Sequence, residues 1–165
     1  MTNYIHFLVT PENPESISRA MSVIGSRYAY CFNKTYKRTG TIWEGRHKSS
    51  LIQSNRYFLT CCRCIELNQV VAGMVNKPEE YKWSSDLVSH DQYLKLGIDA
   101  EVRSCAYRGL FKDRLSDYDV HLIQNASEYC QPVGDDHFRI QIEEKYGVIL
   151  GQPFRGRPKK EEVKK

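Results

Sequence analysis

The sequence lacks any apolar run of the roughly 18 residues that a membrane-crossing helix requires, and Met1 to Thr10 has neither the basic start nor the apolar stretch of a secretory signal. The expected address is the cytoplasm, with no membrane partner. Paired cysteine spacing is also missing. Cys31, Cys61, Cys62, Cys64, Cys105 and Cys130 are scattered, and the Cys61, Cys62, Cys64 cluster has no second ligand pair at a zinc-site distance. Without a sign of an oxidising compartment, these thiols read as reduced and mostly buried. Nor is there a large net charge, which is only +4. What is present is an ordinary globular composition, 41% hydrophobic and 27% charged, which excludes wholesale disorder. At 165 residues the chain holds one domain, or part of one plus a small helical unit.

The modest charge is unevenly placed. From Lys34 to Arg63 seven basic residues (Lys34, Lys37, Arg38, Arg46, Lys48, Arg56, Arg63) face one acid, Glu44. From Gly151 onward six basic residues face Glu161 and Glu162. A basic, aromatic-rich segment and a basic tail suit a phosphate-binding surface, because each contact releases condensed counterions; a solvated charged face is the plain alternative.

Periodicity places a strand over Met1 to Thr10, with Tyr4, His6 and Leu8 on one face and Ile5, Phe7 and Val9 on the other. A helix with Ser16 as N-cap is expected to run to Tyr36, a short strand or loop over Thr41 to Ser50, and a second helix from Asn55 to Gln69. After a turn-rich junction at Tyr81 to Ser85, short helices are expected at Asp91 to Leu96, Ala100 to Lys112, Ser116 to Ala126 and Asp135 to Tyr146. The Gly, Pro, Arg and Lys composition from Gly151 cannot bury enough apolar surface to order itself. The division is thus residues 1–85, a helical module over 86–150, and a flexible basic tail over 151–165. Trp83 is expected to pack the two halves together, and Tyr28, Tyr30 and Tyr36 to pack in the core; His90, His121 and His137 receive no role.

Four segments in order, Asn3-Tyr4-Ile5-His6-Phe7-Leu8-Val9-Thr10-Pro11, Thr39-Gly40-Thr41-Ile42-Trp43-Glu44-Gly45-Arg46, Cys64-Ile65-Glu66-Leu67-Asn68-Gln69-Val70 and Lys82-Trp83-Ser84-Ser85, resemble the REP-associated tyrosine transposases of the HUH superfamily. Tyr93-Leu94-Lys95-Leu96-Gly97 and Ala106-Tyr107-Arg108 continue the pattern, so nearly the whole chain is covered. The resemblance implies an α+β fold, the C-terminal part of a ferredoxin-like sheet domain. It also implies metal-assisted cleavage and rejoining of single-stranded DNA hairpins through a phosphotyrosine intermediate. In that chemistry two histidines two apart on a strand share a face and hold a divalent metal, magnesium or manganese, that polarises the scissile phosphate. A helical tyrosine attacks, and a polar residue four positions on completes the ligands.

Here the sequence departs from the family. Tyr4 stands at the first metal-histidine position, which leaves His6 and Asn68 as a remnant metal site that binds weakly or not at all. Cys64 stands at the nucleophile position, where its sulfur lies several ångströms short of a tyrosine oxygen, and a misplacement of 1 Å can cost about a hundredfold. The family also has further chain ahead of the motif at Asn3, supplying strands beside the first one. These departures imply an inactive centre. Tyr57, on the helical face of Cys64, reads as a core aromatic before it reads as a replacement nucleophile, and a thiol enzyme using Cys64 with His6 or His47 has no family support.

What the resemblance leaves is DNA contact. Trp43, Arg46, His47 and Lys48 combine stacking and phosphate-binding groups, with Arg63 beyond them. In the tail Arg155, Arg157, Lys159 and Lys160 form an Arg-Gly-Arg-Pro segment that resembles an AT-hook for A/T-rich duplex, though a plain basic tail attracts nucleic acid too. The partner expected is DNA, as single-stranded hairpin and A/T-rich duplex, with a homo-oligomer left open. A non-catalytic hairpin-binding repressor and a functionless pseudogene product are the alternatives.

Overall fold

Six α-helices carry the chain in the computed structural model, which describes residues 4–83 and 90–151. They are α1 (Ser16–Tyr36), α2 (Ser54–Val71), α3 (Asp91–Leu94), α4 (Ala100–Gly109), α5 (Asp117–Tyr129) and α6 (Asp136–Tyr146). A 3₁₀ turn at Pro78–Glu80 follows α2. Asn3, Ser84, Ser85 and the tail residues Arg155, Arg157, Lys159 and Lys160 lie outside the described residues, as does the boundary expected after residue 85.

The α+β, ferredoxin-like architecture implied by the family resemblance is overturned: among the described residues there is no strand and no sheet, only an isolated parallel bridge between Ile52 and Val133. A strand persists only where a second strand satisfies its backbone groups. Tyr4 to Thr10 finds none, and no backbone hydrogen bond engages it among the described residues. Leu8 packs into the core while Ile5, Phe7 and Val9 point outward at 52%, 50% and 55% exposure. Its side chains do not alternate in burial, since Tyr4 and His6, expected on the face of Leu8, are exposed as well. Thr41 to Ser50 is likewise a loop.

The helices of the second half form because their first turns are capped within the sequence. Asp99 accepts from Val102 N (2.8 Å), Ser116 from Asp119 N (3.0 Å) and Asp135 from Phe138 N (2.9 Å), each satisfying a donor that the helix itself leaves unpaired. The N-terminus of α1, at Glu15, has no side-chain cap; Ser16 instead donates to Asn13 Oδ1. Lys37 and Cys130 end α1 and α5 in the left-handed conformation without being glycine.

Two adjacent stripes of α2 build the core. Tyr57 and Cys61 pack with Ala126 and Val133, while Phe58 and Cys62 pack with Tyr107; Leu8 lies over both. Each stripe is an i, i+4 pair, so one helix serves α5 on one side and α3 and α4 on the other. The segment before α2 is tied down by polar contacts. Gln53 N donates to Val133 O (2.8 Å), Val133 N to Leu51 O (2.8 Å), and the Gln53 side chain exchanges two hydrogen bonds with Asp135. In contrast α1 buries no residue, and no other helix packs against it among the described residues. Trp83, expected at a junction, is largely exposed, with Lys82 over its ring.

Candidate nucleic-acid interface and the centre on α2

The loop after α1 folds back onto that helix. The Trp43 indole Nε1 donates to Gly25 O (3.0 Å) and its ring meets Tyr28 (5.6 Å), leaving Trp43 38% exposed. Asn33 Nδ2 donates to Gly40 O (2.8 Å), closing the turn that Lys37 begins. The aromatic row continues along α1 at i, i+4 spacing, with Tyr28 to Phe32 at 6.1 Å and Phe32 to Tyr36 at 4.6 Å. Against the expectation that these tyrosines pack, Tyr28, Tyr30 and Tyr36 are 48%, 67% and 63% exposed. Arg38 lies over Phe32 at 5.7 Å. Arg46, His47 and Lys48 are exposed in the same loop. The i, i+4 aromatic spacing is visible in the sequence, but not that its face stays uncovered.

Arg63 is differently employed. Its guanidinium donates to Asp113 O, anchoring the α4–α5 connection to α2, and its Nε is buried without a partner. Its charge is turned toward the fold more than outward.

The α2 centre brings together two residues far apart in sequence: Asn68 Nδ2 lies 3.0 Å from His6 Nε2. A neutral imidazole with its proton on Nδ1 accepts there. Partial loss of solvent beside α2 lowers the His6 pKa, although the residue stays exposed, and this favours that neutral form. Cys64 sits half-buried one turn before Asn68, and burial pushes its thiol up, away from the reactive thiolate. The neighbouring core thiols move further the same way, Cys61 to about 12 and Cys62 to about 11, again through burial. Tyr57 is buried between α2 and α5, with Arg56 over its ring. Tyr4 remains exposed beside His6, with ring centroids 6.1 Å apart.

The residues here do not fit a hard divalent cation. His6 and Asn68 are neutral, and the polar atoms they turn to each other are already hydrogen-bonded, whereas magnesium and manganese favour carboxylate-rich oxygen sets. Among the described residues no group of three or more His, Cys, Asp or Glu is arranged to hold a metal. His121 and His137 are exposed, but His90 has a structural task that no local pattern in the sequence signals: its Nδ1 accepts from Gln92 N (3.1 Å) at the start of α3 and its ring stacks on Phe58 at 3.8 Å. No helix among the described residues is long and apolar enough to cross a membrane. Compared with protein-family models, curated proteins and solved structures, the chain has no match in any of the three.

Proposed function

We propose that this chain binds single-stranded nucleic acid, DNA hairpins in the first instance, through α1 and the loop that follows it, and that its α2 centre performs no strand transfer. The observation that carries this reading is the row Trp43, Tyr28, Phe32, Tyr36, in which Tyr28, Tyr36 and Trp43 are exposed and Phe32 is half-buried, with Arg38 over Phe32 and Arg46 and Lys48 exposed in the loop that carries Trp43. Unpaired bases stack on such rings at about 1–3 kcal/mol per base, and cations beside them hold the phosphates. A helix with no buried residue gains little from tertiary packing, and the rings of α1 are met by one another and by the Trp43 loop but by no other helix among the described residues. The resemblance to hairpin-cleaving transposases supports DNA over RNA. Inactivity is supported by the neutral Cys64 thiol and by a donor pair unsuited to magnesium.

The test is anisotropy of a labelled single-stranded hairpin titrated with the full chain, with matched duplex as control. Replacing Tyr28 and Tyr36 together with alanine is expected to weaken hairpin binding by about ten- to a hundredfold while leaving the helical signal intact. Replacing Arg38, Arg46 and Lys48 with glutamine should flatten the salt dependence by about 0.7 for each phosphate no longer neutralised. Hairpin affinity unaffected by either set sinks the proposal. A denaturant-stable adduct formed with manganese present overturns the inactivity and points to Cys64 or Tyr57.

A further inference from the structure

Two basic stretches lie far apart in the sequence: Lys37, Arg38, Arg46 and Lys48 in the loop after α1, and Arg155, Arg157, Lys159 and Lys160 after Gly151. The fold fastens the chain next to each of them at one place, the C-terminal end of α5. There Ala126 O accepts from Cys130 N, from Gln131 N (3.0 Å) and from Ser50 Oγ (2.7 Å), which pins the end of the loop. Gln131 Oε1 in turn accepts from Gly151 N (2.9 Å), and Leu150 N donates to Glu143 Oε1 (2.7 Å), which pins the chain after α6. Ser50 and Gly151 are therefore linked by three hydrogen bonds and one glutamine, a span of at most roughly 18 Å. At full extension Arg155 lies within about 14 Å of Gly151 and Lys160 within about 32 Å. Trp43, held to α1 at Gly25, is likewise within about 25 Å of Ser50 along the chain.

We infer that the basic residues after Gly151 act on the same ligand as α1, gripping the paired stem of a hairpin whose unpaired loop lies on the aromatic row; this rests on the reading of α1 proposed above. The two stretches differ in kind. The rings of α1 and Trp43 need unpaired bases to stack on, whereas residues 152–160 hold four cations, no acid and a single aromatic, Phe154, a composition suited to phosphates. A duplex carries one negative charge per ~1.7 Å of axis, twice the density of one strand, so cations gain most on the stem. A stem of about six base pairs is ~20 Å long, inside the reach set by Gly151. Because loop and stem are one molecule, and both basic stretches leave the same end of α5, the second contact forms at an effective concentration on the order of mM.

The full chain and a variant with Arg155, Arg157, Lys159 and Lys160 all replaced by glutamine are titrated, at about 100 mM salt, against a labelled DNA hairpin and against its loop sequence as an unpaired strand. The variant should bind the unpaired strand within about twofold of the parent but the hairpin at least about tenfold more weakly, with a salt slope shallower by about 0.9 for each stem phosphate released. A photoreactive thiothymidine in the stem should attach to residues 152–165, and one in the loop to α1 or to residues 37–50. Equal losses on both ligands, an unchanged hairpin affinity, or stem probes attached only to α1 and its loop overturn this inference and leave the α1 reading standing. A parent that does not bind the hairpin overturns both.

Discussion

Replacing Tyr107 with phenylalanine removes one oxygen and leaves the packing in place. The Tyr107 hydroxyl donates to Glu66 Oε1 at 2.6 Å, joining α4 to α2, while its ring meets Tyr93 and Phe111 edge-on at 5.5 and 5.3 Å. Those ring contacts survive the substitution; the hydrogen bond to a carboxylate does not, and such bonds contribute about 1.5–3 kcal/mol. Burial raises the Tyr107 pKa, followed by the bond to Glu66, so the hydroxyl stays a donor through the alkaline range. For a chain of this length the loss corresponds to a Tm lower by about 3–12 °C. Urea unfolding followed by circular dichroism gives the free energy. A double-mutant cycle with Glu66→Ala isolates the pair, with an expected coupling of at least about 1 kcal/mol. A Tyr107→Phe protein within about 0.5 kcal/mol of the parent would refute this hydrogen bond as a main tie between the two helices.

Val133, 2% exposed and packed against Tyr57 and Cys61, should cost about 1.5–3 kcal/mol when cut to alanine, read as a lower urea midpoint at unchanged slope. The Asp135 pKa is lowered by the Phe138 N–H and then by Gln53, so its stabilisation is present above the ordinary carboxylate value and lost as pH falls through the folded value. Asp135→Asn keeps a cap, and thermal melts between neutral and acid pH should show a smaller acid loss than the parent; an equal loss excludes Asp135 as a source. His6, also lowered, contributes stability above its ordinary 6.5 that disappears as pH falls through the folded value, because protonated Nε2 turns a donor toward the Asn68 amide. An NMR titration of His6 should give a midpoint below 6.5 in the folded protein; a midpoint above it contradicts the neutral pair.

The helices are legible in the sequence where their signals are local. Asp99, Ser116 and Asp135 mark starts by reaching only three residues along the chain, and Gly147 marks an end, so α4, α5 and α6 begin where expected to within a residue. The ends of α1 and α5 are less visible, since Lys37 and Cys130 adopt a conformation that those residue types seldom announce. The first segment departs from expectation for the opposite reason. Its alternation is that of a strand, but whether a strand forms depends on a neighbour that alternation does not encode. At the candidate site His6 and Asn68 meet at 3.0 Å, and no local rule in the sequence links residues so far apart. Tyr28 and Tyr36 run against expectation because an aromatic helical stripe is ordinarily core, and nothing in the sequence shows that α1 lacks a cover.

Among the described residues the two α2 stripes find their buried partners at Tyr107, Ala126 and Val133. On a translating ribosome this imposes an order of events. At about 5–20 residues per second, roughly 4–14 s pass between synthesis of Cys62 and of Val133. Through that interval Tyr57, Phe58, Cys61 and Cys62 lack a complete core to enter, and the nascent chain offers chaperones a helix with its apolar side open. The Ile52–Val133 bridge, which joins the chain just ahead of α2 to the chain just ahead of α6, can form only once Val133 has been made. The core therefore cannot be completed before Val133 is made, and a stall ahead of it would leave the Tyr57 and Cys61 stripe without one of its buried partners.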